Sequence, residues 1–286
     1  MTYSAMLKLS SEELLIATDR SATNQVRSYT NVKKIFDKGR YVVANAGKTN
    51  TGEEIVLKWL SLPLKESFRE ELEQFKGSFQ AVFDDSIKYI PKEYAGVSFE
   101  DYSKGNISKK LTEMIASEIK NFSQNFKEGF SSNALFGGFD NDTNNMEIHY
   151  VYSPGASKRI ADRFDITGIG IDLGEDPLYH STNRFSPEEV IPKHLALHLV
   201  STSLVHSSRN VVVAGIPEIA FADKKHVEKL NDKVSAVSFN LARKELDGKI
   251  NSEDVMKQFE RLLDKNTDVE QVAKQYNIPT DYIISR

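Results

Sequence analysis

Cysteine is absent from the 286 residues, and this absence removes several classes of site. Disulfide frameworks, thiolate zinc sites, iron–sulfur clusters and cysteine nucleophiles all need sulfur that the chain does not carry. A chain of this length buries about 75% of the surface that its unfolded form exposes, so it can form a core without disulfides or metal ions. A reducing compartment is compatible with this composition.

A basic surface and a long hydrophobic run are also missing. The 37 Lys and Arg residues are outnumbered by 41 Asp and Glu residues, and the net charge is −4. Without a basic field the chain is poorly suited to a nucleic-acid backbone. No segment approaches the about 18 apolar residues that cross a bilayer, and residues 1–20 lack a signal-peptide pattern. We expect a soluble cytoplasmic protein that binds neither nucleic acid nor membrane.

The first fifty residues alternate between apolar and polar side chains, which is typical of strands. Further strand signals lie at 134–139, 146–152, 166–171 and 211–216, with a hairpin turn at 140–145. Helical patterns include a capped entry at 51–54, apolar stripes over 68–83 and 111–126, a helix over 186–206, and the segment 224–286. Residues 91–105 are polar and are expected to be a connection. This order predicts an α+β fold in which helices cover antiparallel sheets.

Neither a metal nor a cofactor is expected. His194 and His198 have a ligand-compatible spacing on a helix, but the glutamate of a zincin does not follow them. The turn at 140–145 lacks the glycine and the bidentate glutamate of a calcium loop. The glycines of 168–174 lack the βαβ context of a dinucleotide site.

The second residue offers a different chemistry. Removal of Met1, which the small side chain of Thr2 permits, exposes one residue that carries both a hydroxyl and a free α-amine. The amine has a pKa of about 8 in model compounds. A fixed cation nearby lowers that pKa, so the neutral amine can take the hydroxyl proton. Small residues after an initiator methionine are common, so Thr2 alone indicates little.

Three further residues could complete such a site. Asp19 closes the second predicted strand, Lys34 lies in the third, and Gly47 ends the fourth. Antiparallel pairing brings Asp19 beside Thr2, and the next strand supplies Lys34 from a neighbouring position. Each residue also has a purely structural interpretation, as a surface ion pair, a solvated strand edge or a turn glycine.

These residues lie in segments that resemble a known family. Residues 14–23, 32–36 and 42–47 resemble the start of a proteasome β-type subunit of the N-terminal nucleophile hydrolases. Residues 134–140, the strand that follows them and the turn at 167–170 are similar to the same family in kind and order. The resemblance covers roughly residues 2–223, and the ordered set of segments is more specific than any one of them.

The resemblance implies a four-layer αββα sandwich and a threonine-type peptidase. In that family pattern Thr2 attacks a peptide carbonyl, Lys34 tunes the amine, Asp19 positions Lys34, and the Gly47 N–H helps to hold the oxyanion. Thr23 would be a backbone contact for an extended substrate. Because Thr2 directly follows Met1, the start is similar to the simpler bacterial relatives of HslV or Anbu type, and methionine aminopeptidase would expose the nucleophile.

The resemblance also implies an organisation and partners. We expect a proteasome-like domain over 1–223, with a helical insertion at about 62–131, and a helical extension over 224–286. The expected partners are a peptide or protein substrate and further copies of the chain in a homo-oligomer. An ATP-dependent unfoldase is an open question, and the additional helices could form or block the contacts between copies.

The chain departs from the family pattern at two places. Ile169 stands where the family usually has a serine, and residues 206–210 replace an element that normally contains Asp, Ser and Gly. Both groups usually support the N-terminal amine, so a rebuilt network would need other residues, such as Ser207 or Ser208. Two alternatives therefore remain open: a non-catalytic assembly or scaffold subunit, and a connectase-like transpeptidase in which an amine resolves the acyl-enzyme.

Overall fold

A computed structural model of the chain describes residues 3–20, 22–23, 28–29, 32–47, 49–127, 132–152, 155–168, 171–186, 188–209 and 217–278. The strands are β1 (Tyr3–Lys8), β2 (Glu13–Thr18), β3 (Ala22–Thr23), β4 (Ser28–Tyr29), β5 (Ile35–Lys38), β6 (Tyr41–Gly47), β7 (Ser132–Asp140), β8 (Asn145–Tyr152), β9 (Ala156–Arg159), β10 (Phe164–Gly168), β11 (Glu218–Asp223) and β12 (Val227–Lys229). The helices are α1 (Thr49–Ser61), α2 (Phe68–Ala95), α3 (Phe99–Ser103), α4 (Lys109–Lys127), α5 (Ile171–Thr182), α6 (Lys193–Ser207), α7 (Asp232–Leu246), α8 (Ser252–Leu262) and α9 (Val269–Gln275).

Most of these strands form two antiparallel sheets. The first sheet has the order β10-β1-β2-β11-β12, the second has the order β5-β6-β7-β8-β9, and β3 pairs with β4 as a separate ribbon. In the first sheet, Ser4 of β1 lies opposite Thr18 of β2 on one side and Thr167 of β10 on the other. β1 therefore has a neighbour on both sides, so its backbone is held by two ladders.

Side chains alternate along each strand and so build separate layers. Ala5 and Leu7 of β1 pack with α6 and α7 residues such as Leu197 and Val237 on the outer face of the first sheet. Met6, between them, packs into the central core with residues of the second sheet. The other face of the second sheet packs against α1 and α2 in a third core. The result is a four-layer αββα sandwich, which confirms the expected α+β fold.

The phenylalanine stripe of α2 is packing. Phe75 and Phe79 are buried against the second sheet, and the ring centroids of Phe75 and Phe136 are 5.4 Å apart. α2 begins after Ser67, whose hydroxyl accepts the Glu70 N–H. Within the ranges that the structure describes, no helix is long and apolar enough to cross a membrane.

The predicted connection at 91–105 is wrong. α2 continues through Pro91 to Ala95 and ends at Gly96, whose φ of 66° is left-handed and whose N–H donates to the Lys92 carbonyl. Ile90 and Pro91 are buried, so tertiary packing holds the helix across the proline. The short helix α3 then follows, capped by Ser98.

Other boundaries also differ from the sequence prediction. The strand expected over 166–171 ends at Gly168, where φ is 108°, and Ile171 opens α5 instead. The helix expected over 186–206 begins only at Lys193, because Pro192 lies at its N-cap with an extended ψ of 140°. The strand predicted at 211–216 lies outside the described residues.

The segment after 224 is not helical throughout. Val227 belongs to β12, which pairs with β11 and completes the first sheet, and the helices start only at Asp232. This strand escaped prediction because it has three residues, too few to show an alternating pattern. In its described part, which ends at residue 278, the helical extension expected over 224–286 contributes one strand to a sheet and three helices, α7 to α9, to one outer layer.

Candidate active site

The starts of β1 and β5 and the ends of β2 and β6 meet at one end of the sandwich. The Asp19 N–H, just after β2, donates to the Tyr3 carbonyl at 3.1 Å. The Asn45 N–H of β6 donates to the Lys34 carbonyl at 3.0 Å. The Ser4 hydroxyl links the two sheets by donating to the Asn45 carbonyl at 3.2 Å. These contacts bring Asp19, Lys34 and the last residues of β6 to the same end of the sandwich.

Asp19 and Lys34 form a buried ion pair there. Lys34 Nζ lies 2.8 Å from Asp19 Oδ1, and the side chains are 6% and 3% exposed respectively. The same carboxylate oxygen accepts the Tyr3 N–H at 2.9 Å. One carboxylate thus joins the ammonium to the first described backbone nitrogen of β1. The two predicted residues are thus in direct contact, and the role expected of Asp19 in positioning Lys34 stays a prediction.

Lys34 reaches Asp19 from the opposite sheet, and this corrects the prediction that a neighbouring strand supplies it. Lys34 lies immediately before β5, the edge strand of the second sheet, whereas Asp19 follows β2 of the first sheet. Alternation in the sequence marks strands but does not assign them to facing sheets. The ion pair therefore crosses the interface between the two sheets.

A second buried carboxylate, Glu218, contacts the same lysine and was missed by sequence reasoning. Glu218 Oε2 accepts the backbone N–H groups of Lys34 and Ile35, each at 3.1 Å. Glu218 Oε1 lies 3.1 Å from Lys229 Nζ. The signal in the sequence is an acidic residue at the first position of an apolar strand, but nothing there indicates that β11 pairs with β2.

Burial dominates the electrostatics of Lys34. It lowers the pKa of the Lys34 ammonium below its usual range, and the negative charges of Asp19 and Glu218 oppose that change. Placing charges inside a protein costs free energy that their mutual attraction often fails to recover. A buried ion pair with a displaced pKa is a candidate for function, because catalytic groups need such environments.

Polar side chains form a row across four strands at this end of the first sheet. The paired residues Thr167, Ser4, Thr18 and Glu218 are all buried and share the face that packs on the second sheet. The Thr18 hydroxyl has no hydrogen-bond partner among the described residues. One row deeper the same face becomes largely apolar, with Met6, Ile16 and Ala220 in the central core. The polar row thus separates the apolar core from the strand ends.

The Tyr3 side chain anchors the start of β1 to the outer helices, on the side of the first sheet that faces away from the second sheet. Its side chain is fully buried among the outer helices, and its hydroxyl hydrogen-bonds Ser203 of α6. The Ser203 hydroxyl also donates to the Gly174 carbonyl of α5 at 2.6 Å. Burial raises the pKa of Tyr3 well above its usual range, so the phenol stays neutral. The first residue of β1 is therefore tied to Asp19 by its backbone and to α5 and α6 by its side chain.

The two serines suggested for a rebuilt network have different surroundings. The Ser208 hydroxyl donates to the Val205 carbonyl of its own helix at 2.7 Å. Ser207 is buried and faces α5, since a Cβ added at Gly174 would lie 2.3 Å from its Oγ. Ile169 and residue 210 lie outside the described residues.

The remaining predicted site residues have these positions. Gly47 is the last residue of β6 and lies opposite Ser132 of β7. Thr23 lies in β3, paired with Ser28 of β4. Thr2 lies outside the described residues, so the nucleophile and the roles assigned around it stay predictions.

One histidine of the pair considered for a metal, His198, contacts the neighbouring helices. His198 Nε2 lies 2.6 Å from Glu245 Oε2 and its ring packs edge-on against Phe259, which ties α6 to α7 and α8. In the portions of the chain with described coordinates, no group of three or more potential ligands is assembled for a metal ion.

Comparison with known proteins identifies the fold. No family model and no curated protein matches the chain. Among solved structures, a Gly-1 mutant of Anbu from Hyphomicrobium sp. strain MC1 matches 88% of this chain and 99% of its own, with a TM-score of 0.57 and 14% identity. Anbu, an ancestral beta-subunit, from Yersinia bercovieri matches 86% of this chain and 95% of its own, with the same TM-score of 0.57 and 14% identity. The chain therefore has the fold of the Anbu proteins, a proteasome-like αββα sandwich.

Proposed function

We propose that the chain is a proteasome-like N-terminal threonine hydrolase that cleaves peptide bonds through an acyl-enzyme. The observation that carries this proposal is the Asp19 carboxylate, which holds the Lys34 ammonium at 2.8 Å and the Tyr3 nitrogen at 2.9 Å. The Tyr3 nitrogen is the atom to which residue 2 is bonded. A fixed cation beside that bond is what an N-terminal nucleophile needs.

The alternation of β1 supports Thr2 as the nucleophile. Residue 2 has the same parity as Ser4 and Met6, whose side chains face the second sheet. The end of β6 and the start of β5 belong to that sheet, so Lys34 and Gly47 approach from the side to which this parity points. The parity of residue 2 in the sequence is therefore the one that the proposed nucleophile requires.

The proposed reaction uses the α-amine of Thr2 as its base. The Lys34 cation keeps the amine neutral near pH 7 by lowering its pKa. The Thr2 oxygen attacks the substrate carbonyl carbon, the hydroxyl proton passes to the amine, and the Gly47 N–H helps to hold the oxyanion. The amine then returns the proton to the leaving nitrogen as the C–N bond breaks. Water hydrolyses the ester and restores Thr2.

The same proposal extends to the substrate and to assembly. Thr23 would contact the backbone of an extended peptide or protein substrate. The chain would act in the cytoplasm as a homo-oligomer, with or without an unfoldase, and without a cofactor. The fold shared with Anbu, one of whose structures is described as an ancestral beta-subunit, supports this reading.

The proposal predicts a covalent adduct on residue 2. Purified protein incubated with a β-lactone or epoxyketone probe should gain the mass of one probe molecule. Peptide mapping should place the adduct on Thr2, and Thr2→Ala should lose it. Thr18→Ala is a matched control, because its hydroxyl lies in the same end of the sandwich, and it should keep the adduct. Protein that lacks Met1 but stays unlabelled would contradict the proposal.

A non-catalytic assembly subunit is the second candidate. It is favoured by Ile169, by the altered residues 206–210, and by the engagement of the Ser208 hydroxyl within its own helix. Edman sequencing separates the two functions cheaply, because a retained Met1 would block the amine and favour the assembly subunit. A connectase-like transpeptidase would instead yield ligated products from mixed peptides, and mass spectra with only hydrolysis products would exclude it.

A further inference from the structure

The start of β5 has backbone groups that its own sheet does not satisfy. β5 is an edge strand, and the Lys34 carbonyl is the group that accepts from Asn45 of β6. The N–H and the C=O of Ile35 both bind side chains of the first sheet, so they face away from β6. Buried backbone groups in such a position need partners from elsewhere.

Two charged side chains of the first sheet supply these partners. Glu218 of β11 accepts the Ile35 N–H at 3.1 Å, and Lys229 of β12 donates to the Ile35 carbonyl at 2.7 Å. The two side chains also contact each other at 3.1 Å. Glu218 is 5% exposed as a residue, so its bonds are sheltered from water. Together they hold Ile35 much as a neighbouring strand would.

The same carboxylate holds the residue that carries the ammonium. Glu218 Oε2 accepts the Lys34 N–H at 3.1 Å as well, so one oxygen fixes two successive backbone nitrogens. The Lys34 side chain then reaches across to the first sheet, where its Nζ lies 2.8 Å from Asp19 Oδ1. Both ends of the lysine are therefore held by carboxylates of the sheet that carries β1.

We infer that Glu218 is a positioning residue that sets the location and charge of Lys34 in the active site. The inference rests on the proposed function, but the contact geometry carries it separately. The charges alternate from Lys229 to Glu218 to Lys34 to Asp19, and the last of these accepts the Tyr3 N–H. A chain of polar contacts thus runs from β12 to the start of β1.

The first test measures Lys34 itself. The side-chain signals of Lys34 can be titrated by NMR in protein labelled with ¹³C,¹⁵N-lysine, with Lys34→Arg used to assign them. Glu218→Gln removes a negative charge and should lower the titration midpoint by about one pH unit. Lys229→Met removes a positive charge and should move the midpoint in the opposite direction. An unchanged midpoint in both variants would overturn the inference.

The second test measures catalysis. Glu218→Gln should lower kcat about tenfold with little change in KM, because a misplaced reacting group affects turnover more than binding. The alkaline limb of the kcat profile should move to lower pH, since Lys34 then loses its proton earlier. Glu218→Ala should lower kcat further, because it cannot accept either N–H. A kcat and pH profile equal to those of the wild type would count against Glu218.

Glu71 provides a matched control. It is a fully buried carboxylate that accepts from the Trp59 indole at 2.6 Å, the Lys38 ammonium at 2.7 Å and a backbone N–H, but it lies in the helical layer on the far side of the second sheet. Glu71→Gln should destabilise the fold and leave the Lys34 midpoint and the pH profile unchanged. If the wild type cleaves no peptide, the proposed function fails, whereas the NMR titration still decides whether Glu218 sets Lys34.

Discussion

At the scale of single residues, the buried pair of Lys34 and Asp19 is the feature that matters most. Removing one partner of such a pair leaves the other charge uncompensated and is strongly destabilising. Removing both charges is often nearly neutral. Under the proposed function the pair therefore separates stability from activity, because a double variant can keep the fold and lose the cation.

A double-mutant cycle should show this separation. Lys34→Met is expected to lower the free energy of unfolding by about 3 kcal/mol, since the Asp19 charge loses its compensating cation. Asp19→Asn should cost a similar amount, while its amide oxygen can still accept the Tyr3 N–H. The double variant should cost no more than either single variant, which corresponds to an interaction energy of about 3 kcal/mol. Urea unfolding at pH 7 measures all three, and additive losses would mean that the two charges do not interact.

Asp165 of β10 gives a prediction about pH. Burial raises its pKa to about 6, and the Ile166 N–H, at 2.9 Å, opposes that change. The folded state therefore binds the proton more tightly than the unfolded state, so ionisation of Asp165 costs stability as pH rises from about 4 to 6. Asp165→Asn should raise the free energy of unfolding by up to about 2 kcal/mol at pH 7.5 and change little at pH 4.

Urea unfolding at both pH values checks that expectation. Asp162→Asn is the control, because Asp162 is an exposed carboxylate three residues away. Its effect should stay within about 0.5 kcal/mol at either pH. Equal effects of the two variants at pH 7.5 would show that burial of Asp165 has no energetic consequence.

At the scale of elements, α5 and α6 approach each other closely around the Tyr3 side chain. A Cβ added at Gly174 would lie 2.3 Å from Ser207 Oγ and 2.6 Å from Tyr3 Cε2. The absence of a side chain at Gly174 is thus what allows Tyr3 to reach Ser203. Gly77 of α2 differs, because a Cβ there would meet nothing within 4 Å.

These two helical glycines should respond oppositely to alanine. Gly174→Ala is expected to destabilise the fold by about 2 kcal/mol through overpacking. Gly77→Ala should stabilise it by about 0.5 to 1 kcal/mol, because alanine is the better helix former. Thermal unfolding compares the two variants directly. Under the proposed function, Gly174→Ala should also lower peptidase activity by moving Tyr3, and Gly77→Ala should not.

The elements could be predicted where their signal is local. β1 follows from alternation, β2 from a short apolar run, and β7 and β8 from the strand signals at 134–139 and 146–152. The hairpin turn between β7 and β8 includes Asn144, which adopts a positive φ of 49°. The Asp19 contact follows from the short hairpin of β1 and β2. Glu218 could not be predicted, because its contact with Lys34 joins residues 184 positions apart. The continuation of α2 through Pro91 depends on burial, which local propensity does not record.

At the scale of the whole molecule, the outer helices carry exposed apolar side chains. Tyr89 and Tyr94 of α2 are 57% and 52% exposed, and Tyr179 of α5 is 53% exposed. Single exposed apolar residues are ordinary on a monomer, but aromatic side chains are enriched where proteins associate. Under the proposed function we expect these layers to contact further copies of the chain.

Light scattering on a size-exclusion column should find a mass that is a multiple of 32.3 kDa. Tyr179→Glu and the pair Tyr89→Glu with Tyr94→Glu test the two layers separately, since a charge in a contact disfavours association. At least one should shift the mass toward the monomer without lowering the thermal midpoint. A single species of monomer mass at high protein concentration would contradict the homo-oligomer.

The internal position of β1 means that its surroundings are completed only after much later segments have been synthesised. β1 precedes its neighbours in the sequence, yet its second neighbour β10 starts at Phe164, and the Lys34 N–H binds the distant Glu218. Contacts between such distant segments form late, because a long loop must close before they gain anything. Under the proposed function, a chain that has been synthesised only to a point before Glu218 would carry Thr2 while Lys34 still lacks its backbone partner. Such a chain would become active only after Glu218 has been added and has bound Lys34.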